Sequence, residues 1–306
     1  MAGSGIGQAV STSRDGKDYG ANPGLGVWFA VGMTFLSRRR MIAATGVAAM
    51  AAGCSPRARG DDDGAMRVTY GPHPSQYAEL SLPTDSTSAP VVVVVHGGYW
   101  RSSYGAELGR PLAADLVGRG FAALNVEYRR VGEGGGWPQT GQDVAAAVDA
   151  LAGRATGLDL GRVVALGHSA GGQLAGWLAA RRGGAVSLAG AVLQAGVLDL
   201  VRGSADGLGG GAVDAYLGGS PARTPEAYAA ASPVALVPLG VPTVCVHGTA
   251  DTLVPIDQSE GFVAAASAAG DTTTLHTFDG DHFDPITVGT PAWDLCVDAL
   301  HALTRR

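Results

Sequence analysis

The chain has 306 residues, 46% of them hydrophobic and 16% charged, with a formal charge of -6; this composition supports a large buried core and argues against disorder. Lys and Arg are scattered outside one short N-terminal run, so no basic stripe can neutralise a phosphate backbone, and nucleic acid is not an expected partner. Three cysteines, none at a CxxC spacing, are too few for a disulfide scaffold and give no readable zinc site, so no metal is expected.

In chain order, the first feature reads as an address. Ser37-Arg38-Arg39-Arg40 precedes an uncharged stretch that ends Ala51-Ala52-Gly53-Cys54, which is a basic region, a short apolar region and a small-residue cleavage site. The apolar run falls short of the roughly 20 residues that cross a bilayer. It resembles a twin-arginine export signal, and the residues before Cys54 resemble a bacterial lipobox, although Ala51 stands where Leu is usual. The resemblance implies an exported protein whose Cys54 is lipidated and holds it to a membrane, with 55–64 as a polar tether. Read instead as an Ala-rich leader with a chance cysteine, the same stretch leaves a cytoplasmic protein. Residues 1–32 fit no part of a signal, so translation is expected to start at Met33 rather than Met1. The division expected is an N-terminal extension over 1–65 and one domain over 66–306.

From residue 66 onward, short β-branched runs alternate with Ala/Leu-rich segments, the pattern of a mostly parallel sheet flanked by helices. Strands are predicted at 67–70 and 77–82, both as edge strands, and at 91–95, where an unbroken valine run suits a strand buried on both faces. Further strands are predicted at 121–126, 163–166, 188–193, 243–246 and 273–278. Helices are predicted at 108–117, 141–152, 172–181, 257–268 and 292–303. The Gly- and Pro-rich stretch 199–236, with short helical pieces at 213–217 and 225–231, reads as a small cap over the strand ends rather than a second domain. Cys245 and Cys296 read as small buried hydrophobes, with a bridge between them open in an oxidising compartment.

Gly167-His168-Ser169-Ala170-Gly171 follows a predicted strand and precedes a predicted helix. A nucleophile elbow needs glycines beside the serine because side chains there would strike neighbouring strands, and it puts the Ala170 N–H at a helix N-terminus, where an oxyanion is favoured. His96-Gly97-Gly98-Tyr99-Trp100 follows the valine strand, where further oxyanion donors are expected from Gly98 and Tyr99, with Gly97 assisting. A serine hydroxyl is a poor nucleophile until an imidazole takes its proton, and the imidazole needs a carboxylate to hold its tautomer. Asp251, just past the strand at 243–246, is the expected acid, and Asp257 is read as a helix N-cap or surface carboxylate. Of seven histidines, His282 in the loop after the strand at 273–278 is the expected base. His168 and His247 are read as loop supports, and His276 as a packed or edge residue. Trp100 and Trp137 are read as substrate contacts, forming with Tyr99 an aromatic wall suited to an aryl group, or else as core packing.

Together HGGYW, GHSAG, HGTADTLVP and DHF resemble the α/β-hydrolase superfamily over about residues 67–303. HGGYW resembles the HGGxW signature of arylformamidases (kynurenine formamidases) and related bacterial esterases, and Glu127-Tyr128-Arg129-Arg130 resembles a segment of hormone-sensitive-lipase-type esterases. The resemblance implies an α/β-hydrolase fold, a Ser169–His282–Asp251 triad, a small-molecule ester or amide substrate and no cofactor. The export signal departs from cytosolic formamidases, so hydrolysis of carboxylic esters or arylamides is expected ahead of arylformamidase activity. A lipid-anchored binding protein without turnover is the reading from a different class.

Overall fold

The valine run at 91–95 forms the second half of β3 (Ser88–Val95), a central strand of the sheet. Val91, Val93 and Val95 enter one core and Val92 and Val94 the other, as a side-chain period of two requires. None is more than 2% exposed, and burying each valine stabilises the fold by roughly 1.5–3 kcal/mol. The computed structural model describes residues 64–305 except 85 and 155. These belong to one compact unit within Pro56–Arg306; the expected export signal, Met33 and Cys54 lie outside the described residues.

The other strands are β1 (Met66–Thr69), β2 (Tyr77–Ser81), β4 (Ala122–Val126), β5 (Gly157–His168), β6 (Gly190–Gln194), β7 (Thr243–Gly248) and β8 (Thr273–Phe278). They form one eight-stranded sheet in the order β1-β2-β4-β3-β5-β6-β7-β8. The run from β4 to β8 is parallel, and β2 pairs antiparallel with both β1 and β4. Helices α2 (Gln139–Asp149), α3 (Ala170–Ala180) and α7 (Asp257–Ala268) supply Val144, Leu174 and Phe262 to the core on one face. Helices α1 (Arg110–Gly118) and α8 (Pro291–Thr304) supply Leu116 and Trp293 to the other. This is the α/β-hydrolase arrangement that the sequence predicts. After β3 the chain moves to β4 on one side and then returns to β5 on the other, so the order reverses between β3 and β5. Such a reversal opens a crevice at the carboxyl ends of the strands.

Three expectations change. The strand at 77–82 is not an edge: β2 is paired on both sides, because its polar Glu79 is 4% exposed and is held by a bidentate Arg110 and by Asn125 Nδ2 at 2.9 Å. The cap is more helical than expected, with α4 (Leu200–Ala205), α5 (Leu208–Leu217), α6 (Pro225–Ala231) and a 3-10 turn at Pro233–Leu236. It packs on the first core without forming a separate domain. No Cys245–Cys296 bridge exists: both thiols are free, Cys245 faces the α3/α7 side and Cys296 faces the α8 side, so the sheet separates them. Burial pushes both thiols up to about 12. Under non-reducing conditions, peptide mapping after iodoacetamide is predicted to find both cysteines unmodified in native protein and both modified in urea; a bridge would leave them unmodified in each.

Candidate active site

Val95 of β3 stands in register with Gly167 of β5, so the loop after β3 lies beside the turn after β5. That turn is tight. A Cβ on Gly167 would lie 2.1 Å from the Gly171 carbonyl oxygen, and one on Gly171 would lie 2.1 Å from the Val95 carbonyl oxygen. Both obstacles are main chain, which no rotamer change can move. Ser169 sits at φ 57, ψ -118 as the N-cap residue of α3, a strained conformation for a side-chain-bearing residue. Its N–H donates to Gln194 O at 2.8 Å, and its carbonyl accepts from Gly172, Gln173 and Val197 N–H groups. This is the tight strand–turn–helix geometry that the GHSAG motif predicts. Gly97 touches it directly: a Cβ there would lie 3.1 Å from the Ser169 Cβ.

His282 Nδ1 lies 2.6 Å from Asp251 Oδ2. Since an ionised carboxylate only accepts, Nδ1 carries the proton, and Nε2 is left as the basic nitrogen. Asp251 is itself over-determined. Its Oδ1 accepts from the Leu253 and Val254 N–H groups, each at 2.9 Å, and His247 Nε2, which bonds to the Val254 carbonyl at 2.9 Å, stands 3.2 Å from its Oδ2. Burial would raise the Asp251 pKa, but the hydrogen bonds from His247, His282 and Val254 outweigh it and hold the group well below the usual carboxylate range. His247 has its other nitrogen on Ser259 Oγ at 2.8 Å, which fixes its ring. Its grip on Asp251 is a role that the sequence does not disclose, beyond its place four residues earlier in the same loop.

His168 holds His282 in a similar way. Its Nε2–H donates to the His282 carbonyl at 2.9 Å, the two rings lie 4.5 Å apart, and its Nδ1 side abuts Gly97. One imidazole thus touches the loop after β3 and the base loop from the position before Ser169. Asp251 and His282 are in direct contact, His168 links the His282 loop to the residue before Ser169, and Ser169 and His282 are both sheltered, at 3% and 4% exposed.

The loop after β3, the expected source of oxyanion donors, is held from behind. Tyr99 and Trp100 have positive φ values of 52 and 55, and Gly98 has 104. Among the described residues, no acceptor takes the N–H of Gly98, Tyr99 or Ala170, so all three remain available to an oxyanion. Tyr128 stacks on His96 at 4.2 Å and donates from its hydroxyl to the His96 carbonyl at 2.8 Å. Burial would raise the pKa of Glu127, but the His96 imidazole 3.5 Å away and the Ala106 and Tyr128 N–H groups lower it on balance. Arg129 forms a bidentate pair with Asp143 at 2.7 and 2.8 Å. The EYRR segment is therefore a buried brace for the site.

Trp100 is not a wall of an open pocket. It is fully buried, stacks on Tyr216 at 4.3 Å and donates from its indole N–H to Gln173 at 3.1 Å, tying the oxyanion loop to α3 and α5. Trp137 packs edge-on against Trp177 and Tyr216 within the same aromatic group. Tyr216 and Gln173 carry no motif that would have singled them out. Asp257 is not an N-cap but the first residue of α7, ion-paired with Arg202 of α4. His276 is exposed on β8, the edge strand. Among the described residues no cluster could hold a metal, and no helix is long and apolar enough to cross a membrane.

The sheet, the crossover at β3 and β5 and the elbow at Ser169 define an α/β-hydrolase. A profile of the BD-FAE family matches residues 79–265, and the chain belongs to this esterase-type family. Solved structures agree in fold. Esterase 2 of Thermogutta terrifontis superposes with a TM-score of 0.64 at 24% identity, over 78% of this chain and 91% of that one. A truncated carbohydrate esterase from gut microbiota gives 0.67 at 20% identity, over 78% and 95%. A bifunctional GH43-CE protein of Bacteroides eggerthii gives 0.69 at 22% identity over 79% of this chain, which spans only 35% of that protein. No curated protein sequence matches.

Burial, then the neighbouring His282, lowers the His168 pKa from 6.5 to about 3. The native state therefore leaves this group unprotonated at pH values where the unfolded chain protonates it. Its contribution to stability is complete above pH 6.5 and is lost as pH falls toward 3, by up to about 1.4 kcal/mol per pH unit. Urea unfolding between pH 7 and pH 4 is predicted to show this slope in the wild type and a shallower one in His168→Gln; equal slopes would contradict it.

Proposed function

We propose that this esterase-family hydrolase cleaves carboxylic esters through an acyl-enzyme on Ser169. The observation that carries the reading is the 2.6 Å bond between His282 Nδ1 and an Asp251 held anionic by further donors. With Nδ1 protonated and oriented, Nε2 takes the Ser169 proton as Oγ forms a bond to the ester carbonyl carbon. The carbonyl electron pair moves to oxygen, where the N–H groups of Ala170, Gly98 and Tyr99, with Gly97 assisting, stabilise the oxyanion. Collapse of the tetrahedral intermediate breaks the carbon–oxygen bond, and the alcohol leaves with the proton held by His282. Water then attacks the acyl-serine, His282 accepting its proton and returning it to Ser169 as the acid is released.

Family membership supports an ester substrate, as do the names of structural neighbours, which include a carbohydrate esterase and an esterase phosphonylated by sarin. The HGGYW motif keeps arylamide and N-formylkynurenine cleavage as a second reading, since the same acyl transfer serves a formamide. We also propose export and membrane anchoring through lipidated Cys54, supported by the arginine run and small residues of 37–54.

The test is hydrolysis of a panel of p-nitrophenyl esters and N-formylkynurenine by the wild type and Ser169→Ala. Turnover of short esters that falls at least roughly a thousandfold in the variant is expected. Dominant formamide cleavage would favour the second reading, and inactivity on every substrate would favour a binding protein on the same fold.

A further inference from the structure

Beside the oxyanion loop lies a recess of about 330 Å³. Tyr99, Arg101, Ser102 and Ser103 line it on the loop side, and Gly210 and Gly211 on the cap side. Tyr99 belongs to both places: it lines the recess, and its backbone N–H is one of the proposed oxyanion donors. The recess therefore adjoins the loop that carries those donors.

The chemistry of the lining is specific. Arg101 donates to the Gly209 carbonyl, and its guanidinium stands 5.7 Å from the Tyr99 ring centroid. Among the described residues it meets no carboxylate within ion-pair distance, whereas Arg110, Arg129 and Arg130 each close on a buried one. A guanidinium offers five N–H donors in a planar fork suited to a carboxylate, and one bond to a carbonyl leaves most of them for a ligand. The exposed Ser102 and Ser103 add hydroxyl donors at the same wall.

The opposite wall cannot easily acquire a side chain. Gly209, Gly210 and Gly211 have φ values of 61, 63 and 84, which residues with a Cβ rarely adopt, and a Cβ on Gly209 would lie 2.6 Å from the Tyr99 ring. The space facing Arg101 is thus bounded by glycine backbone and the small side chains of Ala212 and Ala215, and stays open. In a chain of net charge -6, this puts a local cation on the loop of the proposed oxyanion donors, where an anionic substrate otherwise meets repulsion.

We infer that this recess is a substrate subsite for a carboxylate carried a few bonds from the scissile ester, with Arg101 as the specificity-determining residue. The inference rests on the proposed ester hydrolysis and adds the class of ester. It is tested with two pairs matched in size and differing in charge. The pair 3-acetoxybenzoate and 3-acetoxybenzamide carries the charge on the alcohol side, and monomethyl adipate and methyl adipamate carry it on the acyl side.

In at least one pair, kcat/KM of the wild type for the carboxylate is expected to exceed that for the amide roughly tenfold. Arg101→Gln is expected to bring that ratio close to one, and Arg101→Lys to retain part of it. A wild-type ratio near one in both pairs, or a preference that survives Arg101→Gln, overturns the subsite; so does a loss in the variant shared equally by both members of a pair, which marks Arg101 as a fastening for Gly209. Since 4-nitrophenyl acetate carries no such charge, its turnover in the same assays separates failure of the subsite from failure of the ester reading, and its absence removes both.

Discussion

Where β5 ends, the main chain passes so close to β3 and α3 that no side chain fits between them. The missing Cβ atoms of Gly167 and Gly171 would each lie 2.1 Å from a backbone oxygen. Glycine inside a strand or helix costs roughly 0.5–1 kcal/mol relative to alanine. An overlap of this size against rigid backbone is the larger penalty, so the glycines win. Because the turn closes this tightly, Ser169 is forced into its positive-φ conformation, and the pairing of Val95 with Gly167 sets Gly97 against it. The positions of the oxyanion loop and of His168 follow from the same contact.

The loops around this turn are held chiefly by buried polar groups. Asp251, Glu127, Glu79 and Asp143 are carboxylates whose side chains are almost wholly covered, and each is matched by histidine, arginine, amide or backbone donors. Removing one partner from a buried ion pair typically costs about 3–5 kcal/mol, so these matches leave the loops little freedom. The arrangement orients the base. Asp251 fixes the His282 ring through Nδ1, and His168 fixes its backbone through the carbonyl. Trp100, Tyr216 and Gln173 connect the loop after β3 to the cap, so the cap's position is tied to the loop of the proposed oxyanion donors.

Much of this was legible in the sequence because the relevant signals are local. The valine run, GHSAG and HGGYW each carry their meaning within a few residues, and strand β8 and helices α6 and α7 match their predicted bounds. What was missed depends on contacts between distant segments. The strand at 77–82 read as an edge because Arg110, which pairs with Glu79, and Asn125, which donates to it, lie elsewhere in the chain. The N-cap that Asp199 gives α4, accepting from the Arg202 N–H, is a local signal obscured by the glycines around it. The support that His247 gives Asp251, and the sheet that separates Cys245 from Cys296, need the tertiary structure. The family match ends at residue 265, short of His282, so the base rests on motif order and on the geometry at Asp251.

The central claim is that Asp251, acting through His282, makes Ser169 the reactive group of this protein. The most direct measurement is the site and rate of covalent labelling by a fluorophosphonate, followed by peptide mass mapping in the wild type and in Asp251→Asn. The account predicts a single adduct on Ser169, with a labelling rate about ten-thousandfold lower in the variant, the size expected when the imidazole loses its correct tautomer. An adduct on another residue, or equal rates in the two proteins, would contradict it.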